Sequence, residues 1–358
     1  MQYYRYKDDH SITCVLCQHY CTLKEGKNGI CGINYNVDGE LVNKTYGHPS
    51  ALHIDPIEKK PLYHFLPSSR SLSLGTVGCN FRCPFCQNYE ISQTTEVNEA
   101  ADYPPQKIID LALEHSCESI SYTYNEPTIW YPYAKDIGLL AKEKGLKNVF
   151  VSSGFESNEV LEDMKSWVDA ANIDLKSFSH DYYKKVLKTN LEGVLESLQE
   201  FAKSNIWLEV TTLLIPNVND SENEIEQMAE FIATKLGVDV PWHLSAFHPT
   251  YKMLDTPNTS IETLLYAKDV GQKHGLKYVY LGNVRADGST YCPKCGTKIV
   301  NRDIYNSEVV CLQESNKTIP NFGEVWEGGI QVRVTTIIGR SSQHLPHITA
   351  KEVFAATR

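Results

Sequence analysis

The sequence has little of what membrane and secreted proteins carry. No apolar run approaches the roughly 18 residues that a membrane-spanning helix needs. The amino-terminal stretch, which begins Met1-Gln2-Tyr3-Tyr4-Arg5, is too polar for a signal peptide. We therefore expect a cytoplasmic protein with no membrane partner.

Positive charge is also scarce. The 34 Lys and Arg residues are outnumbered by 44 Asp and Glu residues, which gives a formal net charge of −10. Because nonspecific nucleic-acid binding relies on clustered Lys and Arg, no nucleic-acid partner is expected. With 358 residues, 42% of them hydrophobic, the chain can build one large core with an appendage, or two domains.

Cysteine, in contrast, is abundant. Eleven cysteines in a chain without an export signal favour metal binding or redox chemistry over structural disulfides. Cys117 and Cys311 stand alone. The others form three groups: Cys14, Cys17, Cys21 and Cys31; Cys79, Cys83 and Cys86; and Cys292 and Cys295. Three groups indicate up to three metal sites.

Residues 70–283 alternate between short β-rich apolar runs and amphipathic helical patterns. Such alternation predicts parallel strands joined by helices, which favours a full or partial β/α barrel over a doubly wound sheet. The predicted strands are Ser71–Leu74, Ser119–Tyr124, Asn148–Ser152, Ala171–Leu175, Trp207–Leu214, His243–Phe247 and Tyr278–Leu281. We divide the chain into a Cys-rich amino-terminal module (residues 1–69), this core (70–283) and a carboxyl-terminal extension (284–358).

The central group has the spacing Cys79-x3-Cys83-x2-Cys86, on a loop that leaves the first predicted strand. Three thiolates on a short loop can bind three irons of a [4Fe–4S] cluster and leave the fourth iron without a protein ligand. A structural zinc site is the alternative, but zinc prefers four ligands, and this group supplies three.

This motif, with the aromatic Phe85 before its last cysteine, resembles the radical S-adenosylmethionine (SAM) superfamily. The resemblance implies a partial (β/α)6-type TIM-like barrel, a [4Fe–4S] cluster and SAM. In that family the open iron chelates SAM, and one electron cleaves SAM to a 5′-deoxyadenosyl radical that abstracts hydrogen from a substrate. It further implies an oxidoreductase that works under anaerobic conditions.

Several residues after the predicted strands are candidates for binding the cofactor. Glu126, in Tyr124-Asn125-Glu126-Pro127, occupies the place of the family's acidic SAM ligand, although the same residues could start a helix. Asp174 and Lys176 lie on one face of a strand and could contact SAM or simply pair with each other. The full candidate set is Phe85, Asn125, Glu126, Ser153, Asp174, Lys176 and His243. His243 could equally be a buried, hydrogen-bonded core residue.

The amino-terminal group provides four thiolates within about twenty residues, enough for a closed zinc site or an auxiliary Fe–S cluster. Together with Tyr46-Gly47-His48-Pro49 and Trp242-His243-Leu244-Ser245, it resembles the AmmeMemoRadiSam-system radical SAM enzymes, which are related to the pyruvate formate-lyase activating enzyme. Cys292 and Cys295 resemble half of a zinc ribbon, and only Cys311 follows them, so that site is predicted to be incomplete.

The resemblance leaves the substrate open. It could be a glycine of another protein, as for the activating enzymes, a small molecule, or a partner from the AmmeMemoRadiSam system, and an electron donor such as flavodoxin or ferredoxin is implied. Two alternatives are a noncatalytic, metal-bound scaffold for partner proteins and an Fe–S electron-transfer protein.

Overall fold

The computed structural model describes residues 2–7, 9–100, 102–303 and 306–310. The strands are β1 (Tyr4–Tyr6), β2 (Ile12–Cys14), β3 (Thr22–Leu23), β4 (Asn34–Val37), β5 (Glu40–Asn43), β6 (Ala51–Pro56), β7 (Arg70–Gly75), β8 (Ser119–Tyr122), β9 (Lys147–Ser152), β10 (Ala170–Asp174), β11 (Trp207–Leu214), β12 (Trp242–Ala246), β13 (Val279–Gly282), β14 (Thr290–Tyr291), β15 (Lys298–Arg302) and β16 (Ser307–Val309). The helices are α1 (Tyr89–Ser92), α2 (Pro105–Glu114), α3 (Tyr131–Glu143), α4 (Asn158–Met164), α5 (His180–Tyr182), α6 (Leu191–Lys203), α7 (Glu222–Phe231) and α8 (Ile261–Lys273).

The central sheet contains seven parallel strands, β7 to β13, which are neighbours in chain order. The antiparallel strand β6 pairs with β7 and forms one edge, and β13 forms the other. All seven predicted strands are present, with ends shifted by at most two residues. The predicted α/β architecture, a TIM-like barrel that is only partial, is confirmed.

Local sequence signals explain where the helices begin and end. The hydroxyls of Ser157 and Ser260 cap α4 and α8 by accepting hydrogen bonds from Val160 N and Thr263 N. Gly145 follows α3 and Gly275 follows α8, and both have left-handed backbone conformations, with φ values of 76° and 92°. These two turns lead directly into β9 and β13. All seven parallel strands place their carboxyl ends on the same side of the sheet.

The amino-terminal segment packs into the same hydrophobic core as the barrel. Ile12, Leu16 and Leu23 are almost fully buried and belong to the cluster that contains the barrel interior. Strands β1 to β3 form a small antiparallel sheet, and β4 and β5 form a hairpin. Strand β6, which lies inside the predicted amino-terminal module, joins the central sheet instead.

Residues 57–69 fill the amino-terminal end of the partial barrel. The carboxylate of Glu209, fully buried at the start of β11, accepts the backbone N–H groups of Tyr63 at 3.0 Å and His64 at 2.8 Å. The apolar side chains of this segment form a second buried cluster with strands β9 and β10, which consists of Ile57, Leu62, Phe65, Leu66, Val149 and Ala170. Ligands therefore have to bind towards the opposite end.

Strands β14 to β16 form a small antiparallel sheet beside β13. Its buried Arg302 donates to the hydroxyl of Thr290 and to the backbone carbonyl of Tyr63. These hydrogen bonds attach the small sheet to residues 57–69. Cys311 and the residues that follow it in the predicted extension lie outside the described residues. None of the helices in the described ranges has the length and apolar character needed to cross a membrane.

Candidate active site

A cavity of about 310 Å³ lies at the carboxyl ends of the parallel strands. Its volume falls in the range of sites for small molecules and cofactors. All three cysteines of the central group line it, together with six of the seven predicted cofactor contacts, namely Phe85, Asn125, Glu126, Ser153, Asp174 and Lys176. The fold thus collects residues spread over about a hundred positions of the chain onto one wall.

The cysteine loop follows β7 and is held in place from behind. Asn125 Nδ2 donates to Gly78 O at 2.9 Å, and Asn125 Oδ1 accepts from Thr76 N at 3.1 Å and Trp130 Nε1 at 3.0 Å. Gly78 has φ 86°, and a Cβ atom there would lie 2.7 Å from Cys31 O. Asn125 therefore positions the loop, with its amide already engaged by protein groups.

Two of the three thiols, those of Cys79 and Cys83, are buried. Burial raises the pKa of Cys83 to about 12 and raises that of Cys79 further, the latter with help from the charge of Glu126. A buried thiolate therefore needs a cation, and metal binding removes the thiol proton outright. The residues that line the cavity include no fourth cysteine and no histidine, which fits a cluster with one iron left open.

The described parts of the chain contain no group of three or more His, Cys, Asp and Glu side chains that could hold a single metal ion. A polynuclear cluster does not need such a group, because each cysteine sulfur binds a different iron.

Glu126 follows β8 and is only 2% exposed. Its Oε2 accepts the N–H of Ser153 at 2.9 Å, and its Oε1 accepts the hydroxyls of Thr128 at 2.7 Å and Ser152 at 2.9 Å. Glu126 also caps the helical turn Pro127–Trp130, so the helix-starting role considered from the sequence is present as well. The carboxylate is fixed in the cavity wall with lone pairs left to accept from an ammonium group.

Sequence reasoning missed Glu156, which lies behind Glu126 and is fully buried. The hydroxyls of Ser152 and Thr128 contact both carboxylates, and Ser197 Oγ donates to Glu156 Oε2 at 2.7 Å. Burial and then the charge of Glu126 raise the pKa of Glu156 to about 7. No motif surrounds Glu156, so only the three-dimensional contact identifies it.

Asp174 and Lys176 form the ion pair that the sequence offered as an alternative, with 2.6 Å between Lys176 Nζ and Asp174 Oδ2. Both side chains nevertheless line the cavity. Burial alone would lower the pKa of Lys176, but the charges of Asp174 and Cys83 raise it above its ordinary value. A permanent positive charge therefore lies beside the cysteine loop.

His243 does not line this cavity. It is 3% exposed, and its Nε2 lies 2.7 Å from Glu209 Oε2. Burial would raise the pKa of Glu209, yet the hydrogen bond and charge of His243 lower it to about 2. The structure thus shows the buried, hydrogen-bonded histidine that was the alternative for this position.

His243 instead lines a second cavity of about 550 Å³, between the edge strands β6 and β13. The two cavities share five lining residues, namely Lys59, Pro61, Gln87, Ser245 and Asn283. Tyr63, His248 and Arg285 also line the larger one. The cavity lined by the central cysteines, called the cysteine cavity below, therefore continues into the larger cavity in the gap between β6 and β13.

The other cysteine groups lie apart from the larger cavity. Cys14, Cys17, Cys21 and Cys31 line one small cavity behind the cysteine loop. Cys292 is buried and Cys295 exposed, in a turn before β15 where Gly296 N donates to Cys292 O at 2.9 Å. The incomplete carboxyl-terminal zinc site stays a prediction, because Cys311 is outside the described residues.

Comparison with known proteins adds a family relationship to this geometry. The Radical SAM superfamily model matches residues 73–232. The protein MJ0808 of Methanocaldococcus jannaschii is 42% identical over 325 residues, which cover 90% of this chain and 97% of that protein. The pyruvate formate-lyase-activating enzyme of Clostridium pasteurianum is 22% identical over 195 residues, 52% of this chain and 82% of that enzyme. Among solved structures, a radical SAM methyltransferase from Sphaerobacter thermophilus has a TM-score of 0.48 at 16% identity, over 61% of this chain and 67% of that one.

Proposed function

Because this chain belongs to the radical SAM superfamily, we propose that it removes a hydrogen atom from its substrate with a cluster bound by Cys79, Cys83 and Cys86 and with SAM bound against Glu126. The observation that carries the proposal is the shared cavity. Three thiols and the buried carboxylate of Glu126, which has lone pairs free to accept hydrogen bonds, line the same cavity.

Each residue has a defined task in this proposal. Glu126 accepts hydrogen bonds from the amino group of SAM and keeps that end of the molecule oriented. Lys176 offsets negative charge at the cysteine loop, and Asp174 keeps Lys176 in place through their ion pair. The cluster, when bound, supplies the electron that cleaves SAM and so provides the hydrogen-abstracting radical, while the protein positions the reactants and excludes water.

The test is an anaerobic assay for 5′-deoxyadenosine with reconstituted, dithionite-reduced protein. Cys83→Ala should lose the cluster spectrum and the product together. Glu126→Gln should keep its iron but bind SAM about 10- to 100-fold more weakly, because it loses a charge-assisted hydrogen bond. Glu143→Gln, at an exposed position of α3, is the matched control and should behave as wild type.

Two outcomes would overturn the proposal. A full cluster without any 5′-deoxyadenosine would favour the electron-transfer alternative. Zinc in place of iron at the central cysteines would favour the noncatalytic scaffold.

For the substrate, we propose a segment of another protein, as in the activating enzymes. Support comes from the name of the Clostridium relative and from the wide cavity of about 550 Å³ that continues from the cysteine cavity. A polypeptide loop can enter through the gap between β6 and β13, whereas a small molecule would leave much of this space to water.

Deuterium transfer can separate the two substrate classes. The reduced enzyme with SAM is incubated with extract from deuterium-grown source cells, divided by ultrafiltration into macromolecules and small molecules. Deuterated 5′-deoxyadenosine from the macromolecular fraction, abolished by prior protease treatment, is the expected result. Deuterium from the small-molecule fraction alone would overturn the protein substrate while leaving the radical SAM chemistry intact.

A further inference from the structure

The four amino-terminal cysteines surround a small cavity that the proposed reaction does not use. Cys14, Cys17 and Cys31 are buried and Cys21 is half-buried, and all four line this cavity. Gly29 also lines it, and a Cβ atom there would lie 3.4 Å from Cys21 Sγ. The glycine therefore leaves room beside the sulfur atoms.

A hydrogen-bond donor points at one of these sulfur atoms. Asn34 Nδ2 lies 3.4 Å from Cys31 Sγ. Hydrogen bonds of this kind orient and stabilise thiolates bound to metal.

One further donor lacks a partner. Asn80 is fully buried and lines the same cavity, and its Nδ2 has no hydrogen-bond partner among the described residues. Since a buried amide without an acceptor costs free energy, this group indicates an acceptor that occupies the cavity.

The cavity favours an iron–sulfur cluster over zinc. A zinc ion bound by four thiolates would bring no new hydrogen-bond acceptor into the cavity. The sulfides of an iron–sulfur cluster accept hydrogen bonds, so they would provide the partner that the buried Asn80 amide lacks. We propose that Cys14, Cys17, Cys21 and Cys31 bind a second [4Fe–4S] cluster, fully ligated by protein, to which the amide of Asn80 donates a hydrogen bond.

This second site adjoins the catalytic one through a single residue. Asn80 follows Cys79, and its Oδ1 lies 4.0 Å from Cys79 Sγ. Its backbone carbonyl contacts His19 Nε2 at 3.0 Å. An electron from a flavodoxin or ferredoxin would then pass from the second cluster to the first by way of Asn80.

The experiment uses the full chain carrying Cys79→Ala, Cys83→Ala and Cys86→Ala. After anaerobic reconstitution with iron, sulfide and equimolar zinc, this variant should retain about four irons and four sulfides and give a Mössbauer spectrum unchanged by SAM. The converse variant, with Cys14→Ala, Cys17→Ala, Cys21→Ala and Cys31→Ala, should also keep about four irons, and its spectrum should respond to SAM.

Wild type provides the measurement that does not depend on either variant folding, and about eight irons per chain are expected. About four irons with one zinc, or about four irons and no other metal, would overturn the second cluster. The catalytic proposal is judged separately by 5′-deoxyadenosine, so the two can fail independently.

Asn80→Leu tests the hydrogen bond. Loss of a donor to cluster sulfur should shift the reduction potential of the second cluster to a more negative value, measured in the variant without the catalytic cysteines. Asn205→Leu, at an exposed position, should leave the potential unchanged. An unchanged potential in Asn80→Leu would overturn the assigned contact.

Discussion

At the scale of single residues, the carboxylates of Glu126 and Glu156 share one hydrogen-bond network, and this network determines which of the two carries a proton. The hydroxyls of Ser152 and Thr128 each contact both carboxylates. Two hydroxyl protons can serve only two of these four contacts, and a proton on Glu156 serves a third. Glu126 then keeps the charge that faces the cavity.

Glu156→Gln should change how stability depends on pH. The pKa of Glu156 rises from an ordinary value of 4.5 to about 7 on folding. Between pH 4.5 and pH 7 the Glu156 carboxyl is protonated in the native chain and ionised in the unfolded chain. The stability of the wild-type protein therefore falls as pH rises towards 7. The metal-free variant should therefore gain on the order of 1–3 kcal/mol relative to wild type at pH 8, and much less at pH 4.5.

The measurement is anaerobic urea unfolding of both proteins across this pH range. Glu143→Gln should follow the wild-type curve throughout. A difference between Glu156→Gln and wild type that does not vary with pH would mean that Glu156 is ionised in the native chain.

At the scale of elements, the parallel strands were predictable and the antiparallel ones were not. Strands such as β8 are buried on both faces and read as continuous apolar or small-residue runs. Strand β6 has mixed burial and ends at Pro56, and β1 to β3 span two or three residues each. Runs this short or mixed have no detectable period.

The candidate site divides in the same way. The cysteines were found by their spacing, and Glu126, Asp174 and Lys176 because they lie at or just after the ends of predicted strands. Glu156 and Asn80 act through contacts with distant residues that no local pattern encodes. His243 was placed on the correct strand, but its partner Glu209 lies on the neighbouring strand, and only the folded chain shows this pairing.

Gly75→Ala should disturb the joint between β7 and β8. A Cβ atom at Gly75 would lie 2.6 Å from Thr123 O and 3.3 Å from Asn125 Oδ1. The strand ends would have to separate, which costs about 1–3 kcal/mol and loosens the hold of Asn125 on the cysteine loop. Lower stability and less iron retained after gel filtration are expected.

Gly288→Ala is the matched control for that joint. A Cβ atom there makes its closest contact at 3.5 Å, with Arg302 Cβ, so stability and iron content should stay near wild type. Full iron retention in Gly75→Ala would show that the loop does not depend on this joint.

At the scale of the whole molecule, the amino-terminal segment and the barrel share one core. Leu16→Ala should therefore destabilise the barrel by about 2–5 kcal/mol, since Leu16 is 1% exposed within that core. Unfolding of the metal-free chain is followed by fluorescence from tryptophans, four of which, Trp130, Trp167, Trp207 and Trp242, lie in the barrel region.

Val37→Ala changes a side chain of the same segment that is 42% exposed, and it should leave the unfolding midpoint nearly unchanged. If Leu16→Ala left the tryptophan transition in place as well, the segment would have to unfold independently of the barrel.

The gap between β6 and β13 has a consequence for reactivity. Among the described residues, the larger cavity occupies the gap between β6 and β13, where a closed barrel would have continuous sheet. A bound substrate of sufficient size would itself supply the missing wall and shut out water and stray hydrogen donors. The substrate would then close the site in which it reacts, and cleavage of SAM without substrate would be slow until the substrate is bound.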